Sequence, residues 1–229
     1  MIKFLPILLA VIYGVVMYRF SAWRTAKMLD QQSTPLNDPH LLDLSDRMAA
    51  ALGIPKIKVH IYEIEPVNGL AAPDGRIFIT RGFFNRYKEG KVSGAEMASV
   101  IAHELGHVAL GHSRRRMIDF SGQNAMRTAL AMVLGRFVPF IGPWIAGLLM
   151  SLLAAKLSRK DEFEADAYAS ALLVKAGIGV APQISLFEKL GKLTGANGAA
   201  VPAWLLSHPK QEQRIAAIEA NAAKWGQTS

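Results

Sequence analysis

Residues 100–112, Val-Ile-Ala-His-Glu-Leu-Gly-His-Val-Ala-Leu-Gly-His, put three of the chain's six histidines and a glutamate into an otherwise apolar stretch. On a helix His103 and His107 stand one turn apart on one face, where both imidazoles can reach a single zinc ion. Glu104, the next residue, suits a general base acting on a water that the metal activates. Surface or capped core histidines are the bland alternative, so the choice rests on whether a third ligand exists.

A metzincin continuation would need glycine at 110 and histidine at 113, where this chain has Leu110 and Ser113. His112 follows His107 by about 140° on a continuous helix, so it is expected to face away from the metal and to be structural. A carboxylate from a second helix is the remaining source. In Ser158–Ser170 (SRKDEFEADAYAS), Glu162 and Asp166 are one turn apart. Glu162 can therefore bind zinc while Asp166 accepts a hydrogen bond from a ligand imidazole. Glu164, about 200° round from Glu162, should face elsewhere. A solvated acidic helix face is the competing reading of this run. With no cysteine in the chain, any metal must rest on histidine and carboxylates.

A common metal also constrains the path of the chain, because His103, His107 and Glu162 cannot be separated by an odd number of membrane crossings. Between them, residues 127–160 are largely apolar and interrupted by Pro139, Gly142 and Pro143. This segment is expected to be an apolar helical hairpin, spanning about 125–157, that dips into a bilayer or stays at its surface. Burial under the domain or in a homo-oligomer is the alternative. Residues 4–18 are also apolar and flanked by Lys3 and Arg19, which is expected to be an uncleaved membrane anchor. A cleaved signal peptide and a buried core helix are the competing readings. Hydrophobic residues make up 51% of the chain, above the usual share for soluble domains, which favours a membrane partner. The net charge of +8 lacks interleaved stacking aromatics, so it argues for an anionic membrane surface and against nucleic acid. Cations on both flanks of the hairpin put the site on the cytoplasmic side, as in a bacterial inner (plasma) membrane, with an exported, periplasmic protein as the alternative.

The expected organisation is an anchor at 1–20, a linker at 21–36 and one domain at 37–229, the length being suited to one core. Residues 57–63 and 76–80 alternate like half-buried strands joined through Ala72-Pro73-Asp74-Gly75. Helices are expected at about 38–52, 94–118, 158–175, 180–191 and 209–224. The fold class is α+β, mainly helical with a small sheet.

His-Glu-Leu-Gly-His, Glu-Phe-Glu-Ala-Asp and Ser-His-Pro-Lys-Gln-Glu-Gln-Arg-Ile (207–215), in that order, resemble the HtpX and CAAX-prenyl-protease family of gluzincin metallopeptidases, metallopeptidase family 48. The likeness covers most of the chain after the anchor, including residues 67–84. It implies a zincin-type domain holding one Zn2+ per chain on His103, His107 and Glu162, with Glu104 as base and Asp166 in support. It also implies His208 near the scissile carbonyl, stabilising the oxyanion, with Arg214 beside it. The chain departs from the family at Asn68-Gly69-Leu70-Ala71, leaving the role of Asn68 open, and helix capping is the alternative for His208. The expected activity is endopeptidase cleavage of unfolded or membrane-associated polypeptides, paired with an edge strand at Asn68 and Arg76, Ile77, Phe78 and Ile79. A zinc-containing chaperone or scaffold, and a zinc hydrolase of small molecules, are the rival classes.

Overall fold

The computed structural model describes residues 5–72, 74–112, 142–193 and 211–224. The described elements are α1 (Leu5–Gln31), β1 (Ser33–Pro35), α2 (Pro39–Leu52), β2 (Val59–Tyr62), β3 (Gly69–Ala71), β4 (Ile77–Thr80), α3 (Arg81–Lys88), α4 (Gly94–Ala109), α5 (Gly142–Lys175), α6 (Ala181–Leu193) and α7 (Gln211–Lys224). The chain is thus mainly helical with one small sheet, and its helices pack on one another and on that sheet.

The four strands lie in the order β1-β2-β4-β3, with β2 parallel to β4 and the outer pairs antiparallel. This corrects the expected edge strand. β4 is bonded on both sides, and Ile77, Phe78 and Ile79 are buried, so no peptide can add along it. Arg76, just before it, is engaged by Asp74 and Asp30. Among the described residues the edge on that side is β3, whose start is pinned by Asn68. The backbone N–H of Asn68 donates to Thr80 Oγ1 (3.0 Å), and its carbonyl accepts from Thr80 N–H (3.1 Å). The turn Ala72–Gly75 joins β3 to β4 rather than β2 to β4, and Gly75 supplies its left-handed φ of 89°.

α2 starts on an Asp38 side chain that caps Leu41 N–H, with Pro39 in the first turn. α4 starts on a capping box: Ser93 Oγ accepts from Glu96 N–H, and Glu96 accepts from Ser93 N–H. The same buried Glu96 carboxylate takes Ser185 Oγ (2.7 Å) and Lys189 Nζ (2.6 Å), tying α6 to the head of α4. Burial would raise its pKa, but Lys189, Ser93 and Ser185 outweigh that and hold it below the usual value. α4 is buried from nearly every side, by the sheet, α2, α5 and α6.

Regular structure also fills stretches expected to be loops. Nothing in residues 21–31 breaks a helix, so α1 runs through to Gln31, and Ser33–Pro35 then pairs with β2 inside the expected linker. α3 is short and polar on average, yet a Thr80 cap and a buried Phe83 fold it. A side chain at Gly82 would collide with the Glu65 carbonyl, so glycine is needed for this approach. α5 is a single helix of 34 residues, about 51 Å long, so the second half of the apolar segment and the Glu162 helix are continuous. No proline or glycine lies between residues 148 and 176 to separate them. The first half of the proposed hairpin, and the expected loop at 194–202, lie outside the described residues. Among the described residues no helix is long and apolar enough to cross a membrane.

Candidate metal centre

α4 and α5 cross in close contact at Gly106. A Cβ there would lie 3.0 Å from the Ala165 carbonyl oxygen and 3.1 Å from Ala165 Cα. Gly106 and Ala165 thereby let two backbones approach, and the turns on either side carry His103 and His107 against Glu162 and Asp166. All four side chains are buried.

The three candidate ligands form a small triangle. His103 Nε2 and His107 Nε2 are 3.1 Å apart, His103 Nε2 and Glu162 Oε2 are 3.3 Å apart, and His107 Nε2 and Glu162 Oε1 are 3.4 Å apart. A tetrahedral zinc site with bonds of about 2.0–2.1 Å separates its ligand atoms by about 3.3–3.4 Å. Two imidazoles and a carboxylate at this spacing fit zinc, and a three-residue set leaves the fourth tetrahedral position for water or substrate. The imidazole planes are perpendicular, and both Nε2 atoms face the Glu162 carboxylate.

Behind this triangle lies a charged layer. His103 Nδ1 is 2.9 Å from Asp166 Oδ1. Asp166 in turn takes two bonds from Arg214 of α7, Nε at 2.6 Å and Nη2 at 2.7 Å. The Arg214 guanidinium is wholly buried and stacks over Phe187 of α6 at 4.4 Å. It also lies 3.7 Å from Glu162 Oε2. Burial would raise the Asp166 pKa, but Arg214 and His103 keep it below the usual carboxylate value. A permanently ionised Asp166 holds His103 with its Nδ1 hydrogen outward and Nε2 toward the ligand triangle.

The same partners load His103 with a proton. Burial lowers its pKa, but hydrogen bonds to Asp166 and Glu162 outweigh burial and raise it to about 9. A ligating imidazole must be neutral, so zinc has to displace that proton below about pH 9. Apparent zinc affinity is therefore expected to rise about tenfold per pH unit between about pH 6.5 and 8.5, read by competition with a chelator of known affinity. An affinity that stays flat across that range would show that His103 binds no displaceable proton.

Glu104 is buried on the same helix beneath β3. A Cβ on Gly69 would lie 2.8 Å from Val100 Cγ1 and 3.3 Å from Glu104 Cγ, so glycine lets the sheet edge close over the carboxyl group. Glu104 thus sits against Gly69 of β3, a strand that bonds only β4 among the described strands. Arg76, Ile77, Phe78 and Ile79 lie away from this edge, in or before the inner strand. His208 lies outside the described residues.

His112 does not face away. α4 ends at Ala109, and Gly111 turns the chain at a φ of 69°, so the helical phase does not extend to residue 112. The turn brings His112 Nδ1 to 3.0 Å from His107 Nδ1. On its other side, His112 Nε2 lies 3.2 Å from Glu164 Oε2 and 3.7 Å from Asp161 Oδ1. A glycine directly before the third histidine was the one sequence signal for this turn.

A model of peptidase family M48 matches residues 35–222. The chain is 34% identical over 137 residues to metalloprotease LoiP of Escherichia coli K12, covering 60% of this chain and 52% of that protein. It is 34% identical over 149 residues to the mitochondrial metalloendopeptidase OMA1 of Arabidopsis thaliana, covering 65% of this chain and 28% of that one. A protease HtpX homolog of Bordetella pertussis is 26% identical over 234 residues, covering 86% and 76% respectively. The chain thus spans about half the length of LoiP and less than a third of OMA1. The family match takes in the whole ligand triangle, its charged layer and the sheet edge above it, and this chain belongs to peptidase family M48.

Proposed function

We propose that the chain is a zinc metalloendopeptidase acting on unfolded or membrane-associated polypeptides. The observation that carries this reading is the triangle of His103, His107 and Glu162 at tetrahedral spacing, with the Glu104 side chain against β3, the last strand of the sheet among the described residues. Relatives named as metalloproteases and metalloendopeptidases agree with it.

Zinc, when bound, polarises the scissile carbonyl and acidifies a water. Glu104 takes the proton of the attacking water and passes it to the leaving amine. Asp166 and Arg214 hold His103 in its ligating orientation throughout. The substrate lies extended along β3, which bonds no second strand among the described residues, and pairs with its backbone, so recognition is broad. His208 supplies a donor to the negatively charged oxygen of the tetrahedral state. On this assignment His208→Ala lowers kcat by about 10²-fold or more with zinc content unchanged, as loss of an oxyanion donor does. An unaltered kcat would reduce His208 to a helix cap.

Exposed Ile12, Tyr13, Val15, Val16, Phe20 and Trp23 on α1, with Arg19, Arg24 and Lys27 beside them, support attachment to a membrane surface. The basic flanks of the 127–160 segment support a site on the cytoplasmic face of the inner membrane. In intact cells a thiol introduced as Ser229→Cys is then shielded from an impermeant reagent, and ready labelling from outside would reverse the orientation.

The activity itself is tested by incubating a reduced, unfolded protein with the zinc-loaded chain and identifying new termini by mass spectrometry. Cleavage that a chelator stops and zinc restores is expected. Zinc-loaded chain that leaves the substrate intact would overturn the reading.

A further inference from the structure

We infer that His112 is a positioning residue of the zinc site, accepting a hydrogen bond from His107 and fixing the imidazole through which His107 ligates. The inference rests on the zinc reading above, and it follows from where hydrogens can sit.

His107 points its Nε2 at His103 and Glu162 and its Nδ1 at His112. If Nε2 gives its lone pair to zinc, the neutral imidazole carries its hydrogen on Nδ1. That N–H faces His112 Nδ1 at 3.0 Å, so His112 must offer a lone pair there. His112 then carries its own hydrogen on Nε2, and Nε2 faces carboxylate oxygens, Glu164 Oε2 at 3.2 Å and Asp161 Oδ1 at 3.7 Å. Each contact in the run Glu164, His112, His107 thus pairs one donor with one acceptor. With His107 a neutral imidazole ligating through Nε2, a hydrogen on His112 Nδ1 would instead meet the His107 Nδ1 hydrogen face to face.

The layout matches the one on His103, where a carboxylate braces the ligand imidazole directly. On His107 the brace comes through a second imidazole. Both histidines are buried, whereas Glu164 reaches the surface, where Lys160 Nζ lies 3.3 Å from its other oxygen. The Gly111 turn is what delivers His112 to this position, since a continued helix would carry it away.

One competing use of the same side chains is excluded by the same logic. His112, Asp161 and Glu164 could themselves surround a cation, their ligating atoms lying within 4.8 Å of one another. A cation there would need the lone pair of His112 Nε2, which would push the hydrogen to Nδ1 and against the His107 N–H. The two arrangements cannot coexist, and the brace allows one zinc per chain.

The test measures zinc affinity, by competition with a chromophoric chelator, for the wild-type chain and for His112→Leu and His112→Asn. Leucine removes the acceptor, and zinc affinity is expected to fall about 10- to 100-fold, the cost of losing a partner of a ligand imidazole. Asparagine keeps an acceptor oxygen near the Nδ1 position and is expected to recover most of the loss. A merely structural residue would give equal affinities in leucine and wild type, or equally weak binding in leucine and asparagine, and either result overturns the inference. Nitrogen-15 NMR of the zinc-loaded wild-type chain decides the matter even if both variants fail to fold. A neutral His112 with its hydrogen on Nε2 supports the brace, and a hydrogen on Nδ1, or two zinc ions per chain, overturns it. A wild-type chain that binds no zinc would remove the site reading itself, a result distinct from these.

Discussion

Glu104→Gln is expected to keep its zinc and its melting temperature while turnover falls by about 10²- to 10⁴-fold, the contribution of a positioned general base. The amide matches the carboxylate in shape, so the packing against Gly69 survives. The ligand triangle does not include Glu104, so metal content should not change. Only the capacity to accept and return a proton is lost. Steady-state cleavage of a quenched fluorescent peptide reads the turnover, and elemental analysis of the same sample reads the metal. A variant that loses zinc together with activity would mean that Glu104 acts on the metal and not on the water.

Glu162→Ala is expected to abolish tight zinc binding, with a fall of well over 10²-fold. That bound follows because loss of a residue that merely braces a ligand already costs about 10- to 100-fold. Glu162 is wholly buried and contributes one oxygen to each ligand imidazole contact. Glu164→Gln on the same helix should leave affinity nearly unchanged. Its side chain is 39% exposed, it stands outside the ligand triangle, and an amide oxygen can still accept from His112 Nε2. Elemental analysis after dialysis against a chelator separates the two. Zinc retained by Glu162→Ala and lost by Glu164→Gln would invert the ligand assignment.

The half of the centre that depends on helical phase was legible in the sequence. His103 with His107, and Glu162 with Asp166, are each one turn apart within an uninterrupted helix, where spacing converts directly into direction. The same rule fails for His112 because the helix ends at Ala109 and Gly111 turns the chain, and phase carries no information across a left-handed residue. Strand positions were legible from alternation at residues 57–63 and 76–80, but their order was not. Alternation describes one strand's two faces and says nothing about which neighbour bonds to it, so β4 was taken for an edge while Gly69–Ala71 holds that place. The crossing at Gly106 and Ala165 and the stacking of Arg214 on Phe187 are contacts between distant segments, which no local pattern reports.

The central claim is that this buried triangle of ligands hydrolyses peptide bonds with Glu104 as the base. It is tested most directly by digesting one unfolded protein with the wild-type chain and with Glu104→Gln, both loaded to the same zinc content. The account predicts new peptide termini from the wild type and an intact substrate from the variant over the same time course. Equal cleavage by the two would contradict it.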